Sequence, residues 1–166
     1  MGLTLNLNRS RFVAALASLA LLLGAGASAR AADTVSTVDV AARIALMNTV
    51  ATRTVTAIGE RQTRAIARMT QLDGAGKPDA AILAAARAGA RAVEEAAERG
   101  RREVRKISLR TVYQLTQKHA DPAVIAQVTG ARDAALERIT SAAVSAKQAI
   151  RASADGLTGS TGSTGG

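Results

Sequence analysis

From Val40 to Ile150 the apolar positions return every three or four residues, the spacing of one face of a helix. In the first segment, from about Thr34 to Leu72, they are Val40, Ile44, Met47, Ala51, Val55, Ile58, Gln62, Ala65, Met69 and Leu72. No alternation by twos persists there, so a strand is excluded. Ser36 or Asp39 serves as the N-cap. Thr49, Thr52, Thr54 and Thr56 are poor helix formers and make this segment the weakest in propensity.

The run Asp73-Gly74-Ala75-Gly76-Lys77-Pro78 interrupts the pattern. Gly74 is placed at the left-handed C′ position, and Pro78 in the first turn of a second helix. That helix runs to about Lys118 and is roughly 60 Å long at 1.5 Å per residue. Its seam is Leu83, Ala86, Ala90, Val93, Ala97, Gly100, Val104, Ile107, Thr111 and Leu115. Alanines and a glycine fill the middle of that seam, which lets a second backbone approach closely. Glu95–Arg99 and Glu98–Arg102 are spaced for i,i+4 ion pairs.

Asp121 as N-cap and Pro122 at N1 open a third helix. It continues to about Ala154 with Val128, Ala135, Ile139, Ala142, Ala146 and Ile150 inward, and Gly156 is its expected C′ residue. Leu157 to Gly166 is almost wholly Gly, Ser and Thr, and is expected to be a flexible tail. Two short breaks between three long helices predict an all-α fold. The expected form is an antiparallel, coiled-coil-like, up-down-up bundle with alanine-rich seams, spanning residues 32–156. Folding about the first break puts residue i opposite about 151 − i, at equal rise in both helices. That pairing brings Glu60 to Arg91 and Arg53 to Glu98.

The first 31 residues carry a different pattern. Arg9 and Arg11 precede an apolar run from Phe12 to Leu23, and small residues continue to Ala31. Ala27-Ser28-Ala29 and Ala29-Arg30-Ala31 both fit a signal-peptidase site. The run is shorter than the roughly 20 residues a bilayer span requires. Residues 1–31 are therefore expected to be a cleaved export signal. The expected compartment is the periplasm or the extracellular space. The sequence contains no cysteine, so disulfides and a lipid-modified cysteine are both excluded.

Composition narrows the chemistry further. The chain has 22 Lys and Arg against 13 Asp and Glu, a net charge of +9, and loss of Arg9, Arg11 and Arg30 with the signal lowers this to +6. The single histidine, His119, cannot supply the three or four ligands of a zinc site and is expected to act as a cation near a helix C-terminus. No serine lies in a nucleophile-elbow motif. Gly74-Ala75-Gly76-Lys77 lacks the ending of a phosphate loop and comes after a helix. A catalytic site, a resident cofactor and a small-molecule substrate are therefore not expected.

Basic residues are the remaining signal. At about 100° per residue, Arg99, Arg102, Lys106 and Arg110 share one sector opposite the apolar seam, with Arg105 nearby. Arg61, Arg64 and Arg68 share a stripe of the first helix. Such runs are ordinarily solvated faces held by ion pairs, here with Glu95, Glu98 and Glu103. Unpaired, they form a surface for nucleic acid, anionic lipid or an acidic polymer. Scarce aromatics argue against a base-stacking platform and against deep insertion into a membrane surface.

A slender bundle with small-residue seams is expected to associate with itself or with another envelope protein. The leading functional expectation is an exported, non-enzymatic structural or adaptor component acting by helix–helix association. The alternative is a basic periplasmic chaperone or polyanion binder using Arg99, Arg102, Arg105, Lys106 and Arg110.

Overall fold

The computed structural model describes residues 39–159; the expected export signal and the end of the tail lie outside them. The described residues form three helices, α1 (Val40–Gly74), α2 (Asp79–Gln117) and α3 (Pro122–Gly159), each packed against the other two. Their buried faces meet in one core whose largest fully enclosed side chains include Met47, Ile58 and Met69 of α1, Ile82 and Val93 of α2, and Ile139 and Ile150 of α3. Nine of the twenty buried apolar residues are alanines, so the helices must approach closely for the core to fill.

Close approach is most pronounced at two glycines of α2. Gly89 lies against Ala65 of α1 and Ile150 of α3, and Gly100 lies against the side chain of Thr54. The sequence pairing put residues 86 and 97 opposite Ala65 and Thr54, so the observed partners lie three residues further along α2. The shift originates in the turn. α1 continues to Gly74, and it is Gly76, with φ 63°, that takes the left-handed position expected of Gly74. The Lys77 amide then donates to the Leu72 carbonyl at 3.0 Å, closing the 6→1 bond of a Schellman turn.

The expected interhelical ion pairs move with the register. Glu60 bonds to Arg64 of its own helix at 3.1 Å and Glu98 to Arg101 at 2.9 Å, rather than to Arg91 and Arg53.

Two of the expected N-caps are found, whereas Pro78, expected in the first turn of α2, is instead its extended N-cap residue and α2 begins at Asp79. Asp39 accepts a hydrogen bond from the Ala42 amide and Asp121 one from the Ala123 amide, both at 2.8 Å. The threonines that weaken α1 are accommodated by back-bonding, as the Thr49 and Thr54 hydroxyls donate to the Ala45 and Val50 carbonyls. At the far end, α3 runs through Gly156 to Gly159 instead of stopping after Ala154. Ala154 is buried and Leu157 packs against the core, so apolar contact carries the helix past a glycine that would otherwise end it.

Burial along α2 keeps the 3.6-residue period of a straight helix. Thr111, Val104 and Ala97 are buried as expected, but at the start of the helix Ile82 is buried and Leu83 is exposed. A seam written in heptads drifts about 20° per heptad against a straight helix. Over the four heptads from Thr111 to Leu83 that drift amounts to nearly one residue.

The α2–α3 turn holds His119 at φ 52°, the described non-glycine residue with positive φ. It occupies a C′ position, because the Ala120 amide donates to the Leu115 carbonyl at 3.0 Å. A left-handed conformation costs a residue with a Cβ roughly 1–2 kcal/mol. Thermal or urea unfolding of His119→Gly is therefore expected to show stabilisation by about 1 kcal/mol. A stability loss in that variant would mean that the imidazole contributes more than its backbone costs.

A candidate cationic interface on α2

Arg99, Arg102, Arg105, Lys106 and Arg110 are all exposed on α2. Three of them, Arg102, Lys106 and Arg110, succeed one another at four-residue intervals and line an open groove of about 440 Å³. Its other walls are Glu103, Ile107 and Arg43 of α1. A second depression, of about 340 Å³, adjoins it and is lined by Arg43, Arg110, Tyr113 and Gln114. Arg99 and Arg105 line neither.

Arg43 is the residue that periodicity could not reveal. It lies on a different helix, and helical periodicity compares residues only within one helix. The hairpin pairing held the signal, since it sets Arg43 opposite residue 108, in the midst of the basic run.

The cations of this face outnumber its one described carboxylate, Glu103, and none is paired with it. Among the described residues, Arg43, Arg99, Arg102, Arg105, Lys106 and Arg110 take part in no ion pair. The expected pairs Glu95–Arg99 and Glu98–Arg102 are replaced by others on the flank of α2 that faces α3. There Arg101 bonds to Glu94 at 2.6 Å and to Glu98 at 2.9 Å, while Lys147 of α3 bonds to the second carboxylate oxygen of Glu94 at 2.5 Å. Glu94 and Glu98 are thus engaged on the flank toward α3, whereas the groove toward α1 holds unpaired cations and a single described carboxylate, that of Glu103. On α1 the stripe of Arg61, Arg64 and Arg68 is engaged locally, by the Ala57 carbonyl, Glu60 and Gln71 respectively.

The hydrogen bond from Lys147 and, next, that from Arg101 hold the Glu94 carboxyl below its ordinary range. A carboxylate whose folded pKa is depressed contributes stability above its unfolded pKa and loses it as pH falls through the folded value. The bundle is therefore expected to keep a constant thermal midpoint from pH 7 to about 5 and to lose stability below about pH 4. Glu94→Gln should lower the midpoint at pH 7 and flatten the acid decline. An identical acid decline in that variant would assign the decline to other groups.

Among the described residues no cluster of three or more His, Cys, Asp or Glu side chains is placed to hold a metal ion. The arrangement offers fixed positive charge along an open groove, which suits binding of an extended anion. No protein-family model, curated protein or solved structure matches the chain.

Proposed function

We propose that this chain is an exported, non-enzymatic helical protein that binds an anionic polymer, lipid or nucleic acid on the α2 face formed by Arg102, Lys106, Arg110 and Arg43. The observation that carries the reading is the set of cations along the groove, Arg43, Arg102, Lys106 and Arg110, none of which makes an ion pair, while Glu94 and Glu98 bond to Arg101 and Lys147 and Glu103 is the one described carboxylate lining the groove. Unpaired cations on a rigid element attract polyanions without first breaking an internal bond. The scaffold is an up-down-up bundle, a topology supported by the Ala65–Gly89 and Thr54–Gly100 contacts, in which numbering falls along α1 as it rises along α2. Retention of the full chain on immobilised heparin, lost at moderate salt, is the expected result. Passage through the column at low salt would sink the reading.

A structural or adaptor role through helix–helix association is the second reading, and a specific observation favours it. Leu46, Leu83 and Val144 are large apolar residues that the bundle leaves 36–45% exposed, one on each helix. Against it, the small-residue seam of α2 is already occupied by α1 and α3 at Gly89 and by α1 at Gly100. Sedimentation equilibrium separates the two, because association through apolar faces should persist in salt that releases a polyanion.

A further inference from the structure

One turn of α2 is inverted. Inside it, Ser108 and Thr111 are each 1% exposed, and the Ser108 hydroxyl has no hydrogen-bond partner. Outside it, Leu109 and Tyr113 are each 66% exposed, more than any other large apolar residue described. Stability alone favours the opposite arrangement, since a buried hydroxyl without a partner costs free energy and an exposed leucine contributes none. The two apolar residues are also not scattered. They stand four positions apart on one ridge, and at about 100° per residue they share a sector of roughly 60° with Arg102 and Lys106. Tyr113 lines the same depression as Arg43 and Arg110.

We propose that Leu109 and Tyr113, set among Arg102, Lys106 and Arg110, form a contact face for the surface of an anionic lipid bilayer. The proposal rests on the reading of this face as an anion-binding surface and names the ligand. A phosphate polymer would use the cations and leave the leucine without a role. A bilayer offers both partners in the right order: phosphate oxygens at the depth of the guanidinium and ammonium groups, and an apolar layer just beneath for the side chains between them. Long basic side chains reach back toward headgroups while their stems lie along apolar surface. Tyrosine suits the boundary because its ring is apolar and its hydroxyl stays wet. Two apolar side chains give shallow, reversible contact, and no described helix is long and apolar enough to cross a membrane.

The chain carries its own reporter, because Tyr113 is its one tyrosine and it has no tryptophan. The test is sedimentation of the mature chain, residues 32–166, with vesicles of phosphatidylglycerol and phosphatidylcholine, or of phosphatidylcholine alone. Tyrosine fluorescence quenching by iodide and a heparin column run in parallel. The wild-type chain is expected to sediment with the anionic vesicles only, and Tyr113 to become shielded from iodide. Leu109→Ser/Tyr113→Ser replaces exposed side chains and should keep the fold by circular dichroism. It is expected to weaken vesicle binding at least about tenfold while leaving heparin retention unchanged, whereas Arg102→Gln/Lys106→Gln/Arg110→Gln should lose both. Wild-type vesicle affinity in the Leu109/Tyr113 variant would overturn the bilayer proposal, as would heparin retention without binding to anionic vesicles; the anion-binding reading would survive either result. Failure on heparin and vesicles alike would remove both.

Discussion

Gly100→Ala is expected to destabilise the bundle by about 2 kcal/mol in urea unfolding, against the sign that helix propensity alone predicts. Glycine inside a helix is about 1 kcal/mol less favourable than alanine, so an exposed position would gain from the change. At Gly100 a Cβ would overlap Oγ1, Cγ2 and Cβ of Thr54, and the last of these, 2.8 Å away, cannot rotate aside. α1 and α2 must then separate, and overpacking of this kind typically costs about 1–3 kcal/mol, which outweighs the propensity gain. The same substitution at Gly59 or Gly130 meets nothing within 4 Å. There it is expected to stabilise by about 1 kcal/mol.

A swap sharpens the point. Thr54→Gly combined with Gly100→Ala removes the overlap, so the pair should be less destabilised than the sum of its parts by at least about 1 kcal/mol. Additive costs would show that Thr54 and Gly100 do not meet. Equal stabilisation at Gly59 and Gly100 would show that the close approach of α1 and α2 is absent.

The second large effect lies in binding. Arg102→Gln/Lys106→Gln/Arg110→Gln and Arg61→Gln/Arg64→Gln/Arg68→Gln lower the net charge of the chain equally, by three. If overall charge governed affinity, both would weaken polyanion binding alike. The first set removes unpaired cations that line one groove, and the second removes arginines already bonded to Ala57, Glu60 and Gln71. At about 50 mM salt the α2 variant is expected to bind heparin about a hundredfold more weakly than wild type, and the α1 variant less than about threefold. Both should unfold at the wild-type midpoint to within about 1 kcal/mol, since Arg102, Lys106 and Arg110 make no ion pair and exposed pairs such as Glu60–Arg64 contribute little. Equal losses in the two variants would reduce the α2 face to one part of a diffuse charge.

Much of the fold was legible because it is written locally. Asp39 and Asp121 cap the helices that they precede in sequence, Pro122 opens α3, and the face of α1 carrying Met47, Ile58 and Met69 turns inward. What escaped depends on relations between helices or on small angular differences that accumulate. The choice of Gly76 over Gly74 at the first turn moved the α1–α2 pairing by three residues and with it every expected cross-helix ion pair. A heptad reading of α2 lost its phase by Leu83, because burial along the helix follows a period of about 3.6 residues and not 3.5. Leu157 carried α3 past Gly156 through contact with a core that local propensity does not register.

The candidate site divides in the same way. The basic sector from Arg99 to Arg110 is set by spacing within one helix. Its partner Arg43 is brought in by packing between helices, while the Glu98–Arg101 pair is an i,i+3 contact within α2 that displaces the expected i,i+4 pair to Arg102. The inversion at Ser108 and Leu109 was likewise hidden, because the expected seam passed through Ile107 and Thr111 and left both residues unassigned.

The central claim is that a fixed row of unpaired cations on α2 and Arg43 of α1 binds polyanions, and the salt dependence of binding to a short DNA duplex tests it most directly. Four cations meeting four phosphates predict a slope of log affinity against log salt of about −3.6 for the full chain, falling to about −1 when Arg102, Lys106 and Arg110 become Gln. A slope that the triple substitution leaves unchanged would contradict the claim.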